Sequence, residues 1–392
     1  MKSEWNTSAI ANICKVVTDG SHTSPKSVSH GKYMVSVKDF TPYGFDFNGC
    51  RQISFADYEK LKSSGCVPQK GDILIGKDGA RYFEDIIIYN QDEAPALLSS
   101  IAILRCDEEK VIPEYLYYLL KTPSFKKDVK DNYGSGSAIP RIILKDFKRM
   151  KVEYPSIEKQ RQIVSILHDL DAKIFNNQKV NDNLEQQAAA LFSSLYNRSN
   201  TEVRYTDLIQ ILGGGTPKTG ETAYWNGNIA FFTPKDVGTP YTFITEKTIT
   251  EEGLSHCNSR LYPVNTVFVT ARGTVGKVGL SGVPMAMNQS CYALVGKEIH
   301  QLLVYFYTLK AVDRLKHKAS GAVFDAITTR DFDSEQIMKL SDDDAKAFLC
   351  VAAPMFQEIL NNSIENLRLS TLRDFLLPKL MSGEIDVSSV QL

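Results

Sequence analysis

This chain of 392 residues has no Cys-x-x-Cys pair; its seven cysteines (Cys14, Cys50, Cys66, Cys106, Cys257, Cys291 and Cys350) are odd in number and widely spaced. Such usage argues for reduced thiols and against structural zinc. The six histidines fall at no metal-ligand spacing, and His256-Cys257 reads as a surface pair, so no metal centre is expected. No apolar run reaches the length of a membrane span, and no signal-peptide core follows residues 1–6, which together predict a cytoplasmic protein. Gly-x4-Gly-Lys-Ser/Thr is absent, so Gly213-Gly214-Gly215 is no phosphate-binding loop. The Asn/Asp-Pro-Pro-Tyr/Phe motif of adenine methylation is also absent. Glu108-Glu109-Lys110 has the residue types of part of a nuclease centre, but acidic loop residues are common. The residues thus predict a protein that is not an enzyme, with no catalytic residues and no cofactor of its own.

A strong charge of one sign is missing as well: the formal net charge is −1. The total hides segregation, with +2 over 1–155, 0 over 156–200, +1 over 201–340 and −4 over 341–392. Lys121, Lys126, Lys127, Lys130, Arg141, Lys145, Lys148, Arg149 and Lys151 face only Asp128, Asp131 and Asp146. The corresponding later stretch holds Lys310, Arg314, Lys316, His317, Lys318 and Arg330. Such clusters suit phosphate contacts, and a solvated helix face accounts for each equally.

What is there is a repeat. Gly-Ser-Gly-Ser-Ala-Ile from Gly134 leads to Lys145-Asp146-Phe147, and Ala-Ser-Gly-Ala-Val-Phe from Ala319 leads to Arg330-Asp331-Phe332. The copies are offset by 185 positions, the separation of Asp146 and Asp331, with no gap over roughly sixty positions. Inside the repeat, seam positions recur at spacings of four and three, as in a coiled coil. The first copy has Ile163, Leu167, Leu170, Ile174, Asn177, Asn181, Leu184, Ala188, Leu191 and Leu195; the second has Phe348, Ala352, Met355, Ile359, Asn362, Asn366, Leu369, Arg373, Leu376 and Leu380. Paired Asn in mid-seam costs stability and fixes register. Antiparallel overlap about the seam centre sets Asn177 opposite Asn366 and Asn181 opposite Asn362. Two ordinary core helices are the plainer alternative.

Around this repeat lie two strand-rich stretches. The first, 1–155, reads as strands at 33–37, 71–75, 85–89 and 99–104, a glycine loop Gly76-Lys77-Asp78-Gly79-Ala80-Arg81, and a helix from Pro113. The second, 201–340, echoes it with strands at 228–237 and 266–270, the loop Ala271-Arg272-Gly273-Thr274-Val275-Gly276-Lys277, and an aromatic helix at 302–310. The expected fold class is α+β, with two globules separated by two long helices packed as an antiparallel coiled coil in a pseudo-twofold repeat. Domain boundaries are expected at 1–155, 156–200, 201–340 and 341–392. Ser156 and Ser341 suit helix N-caps, and Asp342-Asp343-Asp344 suits a helix N-terminus. Pro354 and the equivalent Asp169 predict a break in each helical segment, leaving long helices over about 171–197 and about 355–380, each about 40 Å long.

Leu372-Arg373-Asp374-Phe375-Leu376-Leu377-Pro378-Lys379-Leu380-Met381-Ser382-Gly383-Glu384-Ile385 closely resembles the C-terminal signature of type I restriction-modification specificity subunits. Pro155-Ser156-Ile157-Glu158-Lys159-Gln160-Arg161-Gln162-Ile163 is similar to the Pro-x-x-Glu-x-Gln-x-x-Ile opening of that family's central conserved region. Gly214-Gly215-Thr216-Pro217-Lys218, Tyr224-Trp225-Asn226-Gly227 and Thr233-Pro234-Lys235-Asp236 resemble the start of its target-recognition domains. Two places depart: Leu340-Ser341-Asp342-Asp343-Asp344-Ala345 replaces the Pro-x-x-Glu-x-Gln opening, and Thr18-Asp19-Gly20-Ser21-His22-Thr23 replaces Gly-Gly-Thr-Pro.

The resemblance implies a DNA-binding subunit whose globules, as target-recognition domains, each read half of a split site in double-stranded DNA. The helices would set the unread gap and dock two modification methyltransferase subunits, and the assembly would recruit the restriction translocase. S-adenosylmethionine, ATP and magnesium would belong to those partners, and no membrane is involved. Loop side chains able to meet bases or phosphates are Ser21, His22, Lys77, Arg81, Ser135 and Arg141 in the first globule, and Thr216, Lys218, Arg272, Lys277, Ser320 and Arg330 in the second. A scaffold with no DNA, or the specificity subunit of a related fused restriction system, remain the alternatives.

Overall fold

The computed structural model describes residues 5–134, 140–238, 240–318 and 326–387. The chain divides into two compact units, Met1–Lys173 with Arg368–Leu392, and Ile174–Leu367. Candidates Ser135 and Ser320 lie outside the described residues, as do the Ser-Gly-Ser-Ala-Ile and Ala-Ser-Gly-Ala-Val-Phe stretches that open the repeat.

In the first unit, strand Asn6–Ala9 pairs antiparallel with Lys151–Tyr154. A four-stranded sheet follows in the order Cys14–Asp19, Ile101–Cys106, Ile73–Gly76, Ile86–Ile88. Ile73, Leu74 and Ile75 are each wholly buried, which is why this strand reads as a continuous apolar run without alternation. A second sheet takes Ala96–Leu97, Lys32–Val35, Gln52–Ile53 and Ser27–Val28. Helix Pro113–Lys121 opens on proline and stops at Thr122, because Pro123 disfavours helical backbone before it. The Thr122 hydroxyl then caps the next helix, Pro123–Asn132, by accepting from the Phe125 amide at 3.3 Å. Ile163 and Leu167 share a buried cluster with Leu377, Leu380 and Met381, so parts of both long helices complete this core.

The second unit repeats the plan. Thr201–Arg204 pairs with Gln336–Lys339. A five-stranded sheet runs Ile209–Gly213, Cys291–Gly296, Val267–Thr270, Val278–Ser281, Tyr241–Thr242, and a three-stranded one runs Lys247–Ile249, Trp225–Phe232, Met285–Met287. Helix Gln301–Lys318 lays its aromatic face on the long helices: Phe192 stacks on Phe306 at 5.0 Å and meets Phe348 edge-on at 5.4 Å. Each such ring contributes about 1.5–3 kcal/mol by burial alone.

Helix Leu144–Arg149 and strand Lys151–Tyr154 correspond at the 185-position offset to helix Thr329–Ser334 and strand Gln336–Lys339. The first long helix, Ile157–Arg198, and the second, Asp342–Ser382, begin at the same offset. Ser156 and Ser341 cap them, accepting from the amides of Lys159 at 3.5 Å and Asp344 at 3.1 Å.

The break expected at Asp169 and Pro354 is absent, since both helices are continuous over 42 and 41 residues, about 60 Å at about 1.5 Å per residue. Pro354 and Cys350 both lie on the exposed face of the second helix. The Cys350 carbonyl, which loses its amide partner to the proline, therefore faces water. Ile359 and Phe356, buried on the opposite face, hold the helix in place.

Candidate nucleic-acid interface

Both units fold a glycine loop at the end of their central hairpin, and the same backbone bonds hold it. In the first, the Lys77 amide donates to the Ser100 carbonyl at 2.9 Å and the Lys77 carbonyl accepts from the Ile142 amide at 3.0 Å. In the second, the Ala271 amide donates to the Ser290 carbonyl at 2.8 Å and the Ala271 carbonyl accepts from the Ile327 amide at 2.9 Å. One residue further on, the backbone of Asp78 pairs with that of Arg141 as an isolated antiparallel β-bridge, and Arg272 pairs in the same way with Ala326. Gly79 at φ +94° and Gly273 at φ +81° turn each loop in the left-handed region.

Beside each loop lies a Lys-Asp turn. Asp39 accepts from the Ser36 amide at 2.8 Å, and Asp236 accepts from the Thr233 amide at 2.8 Å, leaving Lys38 and Lys235 exposed. In the first unit a cleft of about 480 Å³ joins Lys38 to Gly79 and Arg81. In the second the Thr274 hydroxyl donates to the Pro234 carbonyl at 3.0 Å. These two lysines were not among the sequence candidates, although the echo of Lys38-Asp39 in Lys235-Asp236 was a signal for them.

The candidates divide by exposure. His22, Arg81, Arg141, Thr216, Lys218, Arg272, Lys277 and Arg330 are exposed. Arg81 is engaged by Asp85 at 2.8 Å, His22 lies 3.3 Å from Asp19, and the Thr216 hydroxyl donates to Gln289. Among the described residues, Arg141 and Arg272 make no ion pair.

Ser21 and Lys77 correct the sequence reading, because both are buried. The Ser21 hydroxyl donates to the Thr23 carbonyl at 2.8 Å. The Lys77 ammonium lies 3.3 Å from Asp19 and 3.5 Å from Asp78, so it holds the loop from inside. Proximity to a glycine loop does not separate an inward side chain from an outward one.

Several basic residues are also spoken for. Lys126 and Lys130 donate to Glu84 at 2.7 and 2.5 Å, which holds the Glu84 carboxyl below its usual range. Arg314 and Lys318 converge on the wholly buried Glu335 at 2.8 and 2.6 Å. Burial pushes the Lys121 ammonium below the ordinary lysine range, and it donates to the Tyr117 hydroxyl at 2.7 Å. Lys127, Lys145, Lys148 and Lys316 remain exposed for an outside anion.

The expected seam residues all turn inward. Ile174, Asn177, Ile359 and Asn362 are buried; Leu170, Asn181, Leu184, Leu191, Met355, Asn366, Leu369 and Leu376 are half-buried. Asn177 donates to Asn366 at 2.9 Å and Asn362 donates to Asn181 at 2.9 Å, the pairs expected from an antiparallel register. Asn177 also donates to Glu365 at 2.7 Å. In the first unit, Asp171 accepts from Arg373 at 2.7 Å and from the Tyr118 hydroxyl at 2.7 Å, a polar contact that seam spacing did not foretell. Among the described residues no group of three His, Cys, Asp or Glu is placed to hold a metal ion. No described helix is long and apolar enough to cross a membrane.

The chain resembles known proteins over most of its length. It is 24% identical over 406 residues to the HindI type I restriction enzyme specificity subunit of Haemophilus influenzae, covering 81% of this chain and 87% of that one. It is also 24% identical over 309 residues to the MjaIX specificity subunit of Methanocaldococcus jannaschii, covering 72% and 71%. The fold matches the crystal structure of a type I restriction-modification S subunit from M. genitalium with a TM-score of 0.60, at 15% identity and 96% coverage of both chains. The family model described as "Type I restriction modification DNA specificity domain" matches residues 2–186 and again 197–339, once in each half. The chain belongs to the type I restriction-modification DNA specificity family.

Proposed function

We propose that this chain is the specificity subunit of a type I restriction-modification complex, a non-catalytic protein that binds double-stranded DNA. Each globule reads one half of a split target from its glycine loop, and the long helices serve as spacer and as docking rails for two modification methyltransferase subunits. The restriction translocase joins that assembly in the cytoplasm. S-adenosylmethionine, ATP and magnesium act on those partners, so the chain needs no cofactor. The observation that carries this reading is the double occurrence of the family's domain, matched by two loops pinned through equivalent bonds but lined with different side chains. A shared scaffold with divergent loops is what reading two unlike half-sites requires. Methylome sequencing of cells with and without this gene tests it: a split adenine-methylation motif should vanish with the gene. Loss of no motif, with the methyltransferase present and active, would refute the role.

A further inference from the structure

We propose that Arg141 and Arg272 are the paired specificity-determining side chains of the two globules, each reading a guanine in its own half-site; this rests on the DNA-recognition role above.

The backbone bonds define the equivalence. Ile142 and Ile327 each donate to the loop residue that also donates to a serine carbonyl, so Lys77 corresponds to Ala271, Asp78 to Arg272, and Arg141 to Ala326. The bridges Asp78 to Arg141 and Arg272 to Ala326 are therefore one structural position occurring twice. Each copy carries a single arginine there, contributed by opposite strands of the bridge. The first globule mounts it on the segment leading to helix Leu144–Arg149, and the second mounts it on the glycine loop.

The opposing residues allow this. Ala326 has no charge to engage Arg272. Asp78 lies 3.5 Å from the buried Lys77 ammonium, which offsets its charge, and no ion pair joins Asp78 to Arg141. Both arginines are exposed while the backbone beneath them is held on two sides. A planar guanidinium on a fixed backbone suits the two acceptors, O6 and N7, that guanine presents in the major groove. The neighbouring Lys38 and Lys235 are exposed point charges on turns, Lys235 loosely paired with Glu246 at 3.4 Å in water, and suit phosphates instead.

The test uses the full chain co-purified with its methyltransferase subunits and a random-sequence duplex library, with the bound fraction sequenced. Wild-type protein should enrich a split motif containing a G·C pair in each half. Arg141→Ala should relax one such pair in one half, and Arg272→Ala one in the other half, each weakening binding to the wild-type motif about tenfold to a hundredfold. Arg141→Lys and Arg272→Lys should relax the same positions, because they keep the charge and lose the fork; they carry the test should an alanine variant fail to fold. Lys235→Ala should weaken binding evenly across sequences and reduce its salt dependence. Arginine variants that enrich the unaltered motif, or that behave as Lys235→Ala does, overturn the assignment while leaving the DNA-recognition role standing. A wild-type complex that enriches no motif overturns both.

Discussion

The side-chain amide of Asn177 donates to the side-chain oxygen of Asn366 at 2.9 Å, and the bond has an image: Asn362 donates to Asn181, also at 2.9 Å. At the 185-position offset Asn177 becomes Asn362 and Asn366 becomes Asn181, so the two bonds are one interaction repeated by the internal twofold, donor direction included. Replacing all four by leucine should stabilise the protein by on the order of 1–2 kcal/mol, raising the thermal midpoint, and release the register. Calorimetry together with size-exclusion light scattering checks this; a stabilised variant that stays one discrete species would remove the register role.

The pair Asp171 and Arg373 breaks that symmetry. Their equivalents are Phe356 and Ala188, which lie in the aromatic core of the second unit. Arg373→Ala deprives half-buried Asp171 of its guanidinium partner while keeping the Tyr118 hydroxyl, and should cost about 1–3 kcal/mol. Asp171→Phe with Arg373→Ala, which copies the other half, should cost less than the two single changes summed. Urea unfolding of the four proteins gives the cycle, and strict additivity would count against the contact.

Pro354 occupies the exposed face of an unbroken helix, so its cost is an unmade bond rather than a kink. Pro354→Ala restores the donor for the Cys350 carbonyl and should stabilise the protein by up to about 3 kcal/mol, less what is lost through a more flexible unfolded chain. Thermal unfolding reads the change; a fall in the midpoint would mean the proline sets the helix's path.

Glu185 supplies a pH dependence. Burial pushes its carboxyl above the ordinary glutamate value of 4.5, although the Tyr305 hydroxyl donates to it at 3.2 Å. The folded state then holds the proton more tightly than the unfolded one, so stability falls as pH rises from about 4.5 through the raised folded value. Glu185→Gln should flatten that decline and leave the protein more stable at neutral pH. Chemical denaturation at pH 4, 5, 6 and 7 tests the slope, and an identical slope in the variant excludes Glu185 as its source.

Seam spacing and the twofold offset made the long helices and their Asn pairs legible, because both are periodic and local. The break expected at Pro354 does not form, since the sequence does not say which face meets water, and that face decides whether a freed carbonyl is tolerated. Lys126 and Lys130 read as open charge because Glu84, which engages both, comes more than forty positions earlier. Lys77 and Ser21 looked like loop residues and are buried, a distinction that Asp19 makes only once the chain is folded. Arg141 and Arg272 resemble any other loop arginine in the sequence, and the backbone bridge that sets them apart exists only in three dimensions.

Ile142 is wholly buried, and its amide ties the loop carbonyl two positions before the turn at Gly79. From Ile142 the chain passes through helix Leu144–Arg149 and strand Lys151–Tyr154 into Ile157, where the first long helix starts. Ile327 anchors the same short lead to Asp342. The reading loop and the start of each long helix therefore share one short, almost fully structured run of chain, so that neither can be re-spliced without re-anchoring the other.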